Sequence, residues 1–274
     1  MVTNNHNGPN WQLAVDPVPG WKPLKVQGVG YQHLETSQYD IYLTQLGWPL
    51  REWLMPEQHV LDAEWFVQNR KTLNSICGSI VGTGTSYKVQ TKPVDVDSID
   101  IVFKWNRMAQ DVPGGDNPSL YGAEFNSPFQ EFALAFALSN SRQTEPEIKP
   151  HRPLGIYSPK ELSKPYELGR HHTEFERRQK EVPEVKLDPL RQYATMYEWF
   201  PGINAQIAVD NSLISAPQMN CLNEVVQKVF EEKGFKVLDH KETHIIFLDK
   251  CGTVHVESNP NMLGYVDFEL LERI

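Results

Sequence analysis

Residues 238–274 read LDHKETHIIFLDKCGTVHVESNPNMLGYVDFELLERI, and this stretch decides the interpretation of the whole chain. Its two apolar runs, at 245–248 and around Val266, flank the turn-like residues 249–252, which predicts a β-hairpin. The polar side chains of the stretch stand at the ends of these predicted strands: Asp239, Lys241, His244 and Asp267.

This placement of polar residues has a chemical rationale. A phosphoryl-transfer site needs a carboxylate that orients the attacking hydroxyl, a cation near the transferred group, and side chains that hold metal ions bridging the phosphates. Asp239, Lys241 and Asp267 with His244 supply these residue types. Taken alone, the stretch is equally compatible with a solvated turn and an ordinary strand end.

The composition narrows the class of protein. A length of 274 residues suggests one large domain or two small ones. The net charge of -9 argues against nucleic acid or an anionic membrane as a partner. No apolar run approaches the roughly 20 residues that span a bilayer, and the N-terminus lacks the pattern of a secretory signal. We therefore expect a cytoplasmic protein, with Cys77, Cys221 and Cys251 as free thiols because their spacing is not that of a pair.

Residues 1–75 form an aromatic-rich N-terminal segment that carries five of the seven tryptophans: Trp11, Trp21, Trp48, Trp53 and Trp65. A tryptophan cluster can be a ligand platform, but core packing is the commoner role of such large rings. Apolar residues at helical spacing predict a helix at about 62–73.

Two features follow that are suited to phosphate. Gly82 and Gly84 lie in a turn between two β-favouring runs, whose backbone can approach a phosphate closely, although an ordinary hairpin would look the same. The strand predicted at 99–105 carries Lys104 among apolar neighbours. Because burial of an unpaired Lys is costly, Lys104 needs an anionic partner or must extend to the surface.

Helix signals are strong at two places. Ser127 and Gln130 have capping-box spacing around Pro128, and Ser215 and Gln218 repeat that spacing before a second apolar stripe. Glu131 falls in the first turn of the earlier helix, where the helix dipole alone explains a carboxylate.

Between these helices the sequence predicts two strands separated by a charged segment. The strands are expected at about 153–157 and from residue 193 to Glu198. The segment 158–189 is interpreted as a surface insertion, partly helical at 173–181. Its vicinal His171 and His172 suggest either a metal site or, more commonly, solvated charge.

The order of these features resembles the protein-kinase-like fold family, most closely its small, divergent bacterial members. A glycine turn, a strand Lys, a helix Glu, a strand ending in Glu-Trp-Phe-Pro-Gly, a helix, Asp-x-Lys-x-x-His, a hairpin and Asp-Phe follow one another over residues 76–269. The resemblance implies an α+β fold with an antiparallel-sheet N-lobe carrying a helix (76–200, with the insertion 158–189) and a hinge with a minimal C-lobe (201–274). The first 75 residues would pack on the N-lobe.

The resemblance also assigns roles. ATP would be held by the turn of Gly82 and Gly84 and by hinge residues Glu198 and Trp199, with Lys104 on its phosphates and Glu131, or Glu124 in its place, pairing with Lys104. The remaining roles fall to residues of the C-terminal stretch: Asp239 orienting the acceptor, Lys241 stabilising phosphate charge, and His244 with Asp267 holding Mg or Mn.

Three departures from the kinase pattern keep other functions open. Val237 and Leu238 replace the usual His-Arg, His244 replaces the metal-binding Asn, and Glu269 replaces the glycine of Asp-Phe-Gly. We therefore expect an ATP-dependent phosphotransferase acting on an unknown hydroxyl acceptor, or else an inactive pseudokinase-like module that binds nucleotide or a partner protein. A third alternative is an unrelated α+β protein with a metal site at Asp239, His240 and His244.

Overall fold

The computed structural model describes residues 18–54, 86–90, 99–113, 118–141, 148–250, 253–254 and 263–274. Their strands are β1 Trp21–Val26, β2 Val29–Glu35, β3 Tyr39–Thr44, β4 Ser86–Gln90, β5 Asp100–Trp105, β6 Ile148–Pro150, β7 Pro153–Pro159, β8 Ala194–Glu198, β9 Gly202–Asn204, β10 Phe235–Val237, β11 Ile245–Lys250, β12 Thr253–Val254, β13 Leu263–Tyr265 and β14 Leu271–Arg273. The α-helices are α1 Arg51–Leu54, α2 Pro128–Ser139, α3 Pro165–Leu168, α4 His172–Glu181, α5 Ala205–Asp210 and α6 Ala216–Glu232, with 3-10 turns at Trp48–Leu50, Pro118–Leu120 and Glu242–His244.

The fold is α+β and is built around a large antiparallel sheet. Its seven strands run in the order β1-β2-β3-β7-β8-β5-β4, and every neighbouring pair is antiparallel. Residues 21–44 therefore contribute three strands to the same sheet that contains β5 and β8, which places them within the sheet rather than against it.

Alternation along the strands gives this sheet two buried faces. On β5, Ile101 and Phe103 pack on one side with Trp21 and Trp48, whose rings meet edge to face at 5.1 Å. On the other side Val102 packs with residues of α2. Trp21 and Trp48 are thus core residues, as expected for large rings.

The charged segment 158–189 is more than a solvated insertion. Its charged side chains are largely exposed, but Phe175, Val182, Val185 and Leu187 are buried and pack in the cluster that includes Phe129 of α2. The helix predicted at 173–181 is confirmed as α4, whereas the burial of these four residues was not predicted, because sparse apolar residues in a charged stretch give a weak periodic signal. His171 pairs with Asp111 and His172 with Glu176, so the vicinal histidines do not converge on one site.

Both predicted capping boxes are confirmed. The Ser127 hydroxyl accepts from the Gln130 N–H, and the Gln130 side chain accepts from the Ser127 N–H. Ser215 and Gln218 do the same at the start of α6. These reciprocal bonds satisfy backbone N–H groups that have no partner within the helix.

A smaller sheet and α6 form the second part of the core. The two apolar runs pair antiparallel as predicted, β11 with β13 from Ile245 to Phe247, whereas β11 also pairs with β12, a strand that was not predicted. β6 and β9 extend this sheet, while β10 pairs with β14 separately. Val226, Val229 and Phe230 of α6 pack with residues of β11 and β13 in one apolar cluster.

Several sequence predictions lie outside the described residues: the helix at 62–73, the turn with Gly82 and Gly84, the core role of Trp11 and Trp65, and the free thiols at Cys77 and Cys251. None of the helices in the described part of the chain combines the length and apolar character needed to cross a bilayer.

Candidate functional site

Lys104 is the centre of a buried cluster of charges. It follows Val102 by two residues on β5, so its side chain leaves the sheet on the same face, towards α2. Only 4% of Lys104 is exposed. Its Nζ contacts Asp267 Oδ1 and lies 3.1 Å from Glu269 Oε2. Burial opposes the positive charge, but the carboxylates of Asp267, Glu269 and Glu131 outweigh it and raise the pKa of Lys104.

The expected ion pair between Lys104 and Glu131 is not formed. Glu131 is buried in the first turn of α2, and its carboxylate accepts from Asn106 Nδ2 at 3.1 Å and from the Tyr197 hydroxyl at 2.5 Å. Tyr197 reaches it because β8 places Tyr197 opposite Val102, on the α2 face. Burial raises the pKa of Glu131 to about 7, against the opposing field of Lys104.

Asp267 links Lys104 to the C-terminal stretch. Its backbone has a φ of 71°, a left-handed conformation that Asp tolerates better than most residues. Besides the contact of its Oδ1 with Lys104, its Oδ2 lies 3.8 Å from His244 Nε2. Burial acts to raise the pKa of Asp267, but the positive charge of Lys104 and its hydrogen bond to Asp267 prevail and hold that pKa well below its usual range.

His244 stands on the other side of Asp267. It closes the 3-10 turn Glu242–His244 before β11 and is 8% exposed. Its Nδ1 is buried without a hydrogen-bond partner. Burial lowers the pKa of His244 and outweighs the fields of Asp267 and Asp239, so the neutral imidazole is favoured.

The charges of Asp239 and Lys241 act on this imidazole together with those of Asp267 and Lys104. The Lys241 ammonium donates to Asp239 Oδ2 at 2.7 Å. Both residues precede β11 in a segment held at one end by β10 and at the other by the 3-10 turn. Asp267 thus contacts Lys104, His244 lies against Asp267, and the charges of Asp239 and Lys241 act on His244.

The alternative metal site at Asp239, His240 and His244 is not supported. His240 Nδ1 lies 2.9 Å from the Tyr265 hydroxyl and its Nε2 lies 3.1 Å from Asn223 Oδ1, so both ring nitrogens have partners. Within the described ranges, no three His, Cys, Asp or Glu side chains are arranged to hold a metal ion. A metal at His244 and Asp267 would need further ligands from a bound molecule or water.

At the predicted hinge, the backbone of Glu198 is already engaged. Its N–H donates to Arg152 O at 3.1 Å, and its carbonyl contacts His151 Nε2. The next residue, Trp199, is half-buried, and Lys88 Nζ lies 4.7 Å from the centre of its ring. The Glu198 backbone and the Trp199 ring, to which the resemblance assigns the base of ATP, therefore both have partners within the protein.

Two functional candidates were missed by the sequence interpretation: Arg107 and Glu269. Glu269, noted only as a departure from Asp-Phe-Gly, is 1% exposed and accepts from the Arg107 side chain, with Nη2–Oε2 at 2.7 Å. A Glu within the apolar run Phe268 to Leu271 is the signal that could have indicated a buried, paired carboxylate.

A cavity of about 470 Å³ lies elsewhere, between the β1–β2 turn and the outer face of α2. Gly28, Phe136 and Arg273 are among its lining residues. None of the residues of the Lys104 cluster lines it, so we assign the candidate site by the charge cluster.

Comparison with known proteins found no match: no protein-family model matches the chain, and no curated protein matches it.

Proposed function

We propose that this protein is an ATP-dependent phosphotransferase of the kinase-like type, acting on a hydroxyl acceptor with Mg or Mn. The observation that carries the proposal is the chain of contacts from Lys104 to Asp267 and from Asp267 to His244. In the kinase pattern a strand Lys, a metal-binding Asp and a second metal ligand from the catalytic loop meet in this way.

The order of elements supports the same proposal. The Lys strand β5 is followed by α2 with Glu131, then by β8 ending at Glu198, by α6, by the loop with Asp239 and His244, and by the β11–β13 pair that leads to Asp267. The order corresponds to that of the kinase-like resemblance.

Each residue has a proposed role. Lys104 and Lys241 stabilise phosphate charge, Asp239 orients the acceptor hydroxyl, and His244 with Asp267 holds the metal ion. A neutral imidazole suits Mn better than Mg, because nitrogen ligands favour the softer cation. The ring of Trp199 packs against the adenine base of ATP.

Thermal denaturation tests the proposal, with and without ATP and Mg or Mn. A ligand that binds only the native state, present at a hundred times its dissociation constant, stabilises that state by about 2.7 kcal/mol. We expect a metal-dependent rise in melting temperature in the wild type, lost in Asp267→Ala and kept in Asp111→Ala, whose side chain is 92% exposed. Absence of any shift in the wild type with either metal would refute nucleotide binding.

The second candidate is a pseudokinase-like module that binds nucleotide or a partner without catalysis. It is favoured by the contacts that already engage the site: Lys241 binds Asp239, and Lys104 binds both Asp267 and Glu269. Turnover separates the two candidates. For an active enzyme, ATP hydrolysis or autophosphorylation should be abolished in Asp239→Ala while nucleotide affinity is retained, whereas a binding module shows no turnover in either protein.

A further inference from the structure

The contacts of Lys104 identify an unexpected carboxylate partner. Glu131 lies within the electrostatic range of Lys104 but directs its oxygens to Asn106 and Tyr197. Glu269 Oε2, in contrast, is 3.1 Å from Lys104 Nζ. A buried ammonium is held in one position by the oxygens that it touches, so Glu269 is better placed than Glu131 to orient Lys104.

Arg107 makes three hydrogen bonds to the Glu269 carboxylate. Its Nε and Nη2 donate to Oε2 at 3.0 and 2.7 Å, and its backbone N–H donates to Oε1 at 3.2 Å. The guanidinium also lies 4.1 Å from the centre of the Phe125 ring. With Glu269 1% exposed and the Arg107 side chain 15% exposed, this pair is shielded from water and its geometry is well defined.

Asn126 and Asn106 hold the backbone that follows Asp267. The Asn126 N–H donates to the Glu269 carbonyl at 2.9 Å, and Asn126 Nδ2 donates to the Leu271 carbonyl at 2.8 Å. Asn106, next to Arg107, donates from Nδ2 to the Asn126 carbonyl at 3.1 Å. Through Asn126, the segment after β5 is joined to the segment after Asp267 at the carbonyls of Glu269 and Leu271.

We propose that Arg107 and Glu269 are the positioning pair of this site, which holds Lys104 and Asp267 in place, the role that the kinase resemblance gives to Glu131. The inference rests on the proposed function and assigns its positioning residues. Glu131 then acts within α2, by tying Asn106 and Tyr197 to the helix.

Matched amide variants test the assignment: Glu269→Gln, Arg107→Gln and Glu131→Gln, with the exposed Glu176→Gln as control. The first measurement is the affinity for ATP with Mg or Mn, by calorimetry. Loss of a residue that orients a metal or phosphate ligand typically weakens binding by about 10- to 100-fold. We expect this loss in Glu269→Gln and Arg107→Gln, and a loss below about tenfold in Glu131→Gln, where no direct ligand of Lys104 is removed.

The second measurement needs no nucleotide. Amide hydrogen exchange of the peptide covering 263–274 reports how firmly the Asp267 segment is held. Removal of the charged hydrogen bonds of Glu269 should speed this exchange by about tenfold or more, whereas Glu131→Gln and Glu176→Gln should leave it close to the wild type. Near-ultraviolet circular dichroism checks folding, and Arg107→Lys, which keeps the charge but loses the fork, replaces any variant that does not fold.

These measurements distinguish failure of the positioning pair from failure of the proposed function. If Glu131→Gln weakens nucleotide binding as much as Glu269→Gln does, or if exchange of 263–274 is unchanged in Glu269→Gln, the positioning pair is refuted while the proposed function stands. If the wild type binds no nucleotide, the proposed function fails, and the exchange measurement still decides whether Arg107 and Glu269 hold the segment.

Discussion

His151 should make the protein lose stability in mild acid. The residue is 3% exposed, and its ring stacks on Tyr197 with centroids 4.7 Å apart and meets Phe200 at 4.9 Å. Burial, assisted by the charge of Lys104, lowers its pKa from the ordinary 6.5 to about 3, although the Glu198 carbonyl favours the protonated ring. The folded protein therefore keeps His151 neutral where an unfolded chain would protonate it.

The sign and size of this change in the free energy of unfolding follow from the difference in proton binding between the unfolded and folded states. Between pH 6.5 and 3 the unfolded state binds the additional proton, so the free energy of unfolding falls as the pH falls and is fully retained only above 6.5. At pH 5 the His151 ring of the folded protein is still neutral, so the loss in free energy of unfolding depends on the pKa of His151 in the unfolded chain. It amounts to about 2 kcal/mol between pH 8 and pH 5.

Urea denaturation of the wild type and of His151→Phe at both pH values measures this contribution. The Phe ring can retain the stacking but not the contact with the Glu198 carbonyl, which costs about 1–3 kcal/mol at pH 8. Because Phe does not titrate, the gap between the two proteins should narrow by about 2 kcal/mol at pH 5. The exposed His172→Phe is the control and should follow the wild type at both values. An unchanged gap between wild type and His151→Phe would show that His151 is protonated normally in the folded state.

Two further predictions concern local structure. Ser215→Ala should destabilise the protein by about 0.5–2 kcal/mol, because it removes the acceptor for the Gln218 N–H at the start of α6. Ser215→Asp supplies another acceptor and should retain most of that stability. Equal losses in the two variants, measured by urea denaturation, would contradict a capping role. In the same assay, Gly202→Ala should lower the free energy of unfolding more than Gly122→Ala does. A Cβ at Gly202 would lie 2.0 Å from the Phe247 carbonyl oxygen, whereas a Cβ at Gly122, also at positive φ, would have no atom within 4 Å. We expect about 1–2 kcal/mol for Gly122→Ala from backbone strain alone, and an equal decrease for Gly202→Ala would argue against close pairing of β9 with β11.

The elements whose signals are local could be predicted from the amino-acid sequence. The capping boxes at Ser127 and Ser215 and the strands β5 and β8 were all predicted, and the structure contains them. Each depends on residues within a few positions of one another, where hydrogen bonding and side-chain periodicity leave few alternatives. The polar residues around residue 240 and Asp267 were also identified from sequence alone.

Tertiary packing determines which charges meet. Glu131 was the natural partner for Lys104 by resemblance, yet Lys104 contacts Asp267, 163 residues away, and Glu269. It also decided that β1, β2 and β3 continue the large sheet and that the charged segment 158–189 buries Phe175 and Leu187. The physical reason is that a buried charge is stabilised by whichever donors or acceptors lie within about 3 Å, and such proximity depends on the packing of strands and helices that are distant in sequence.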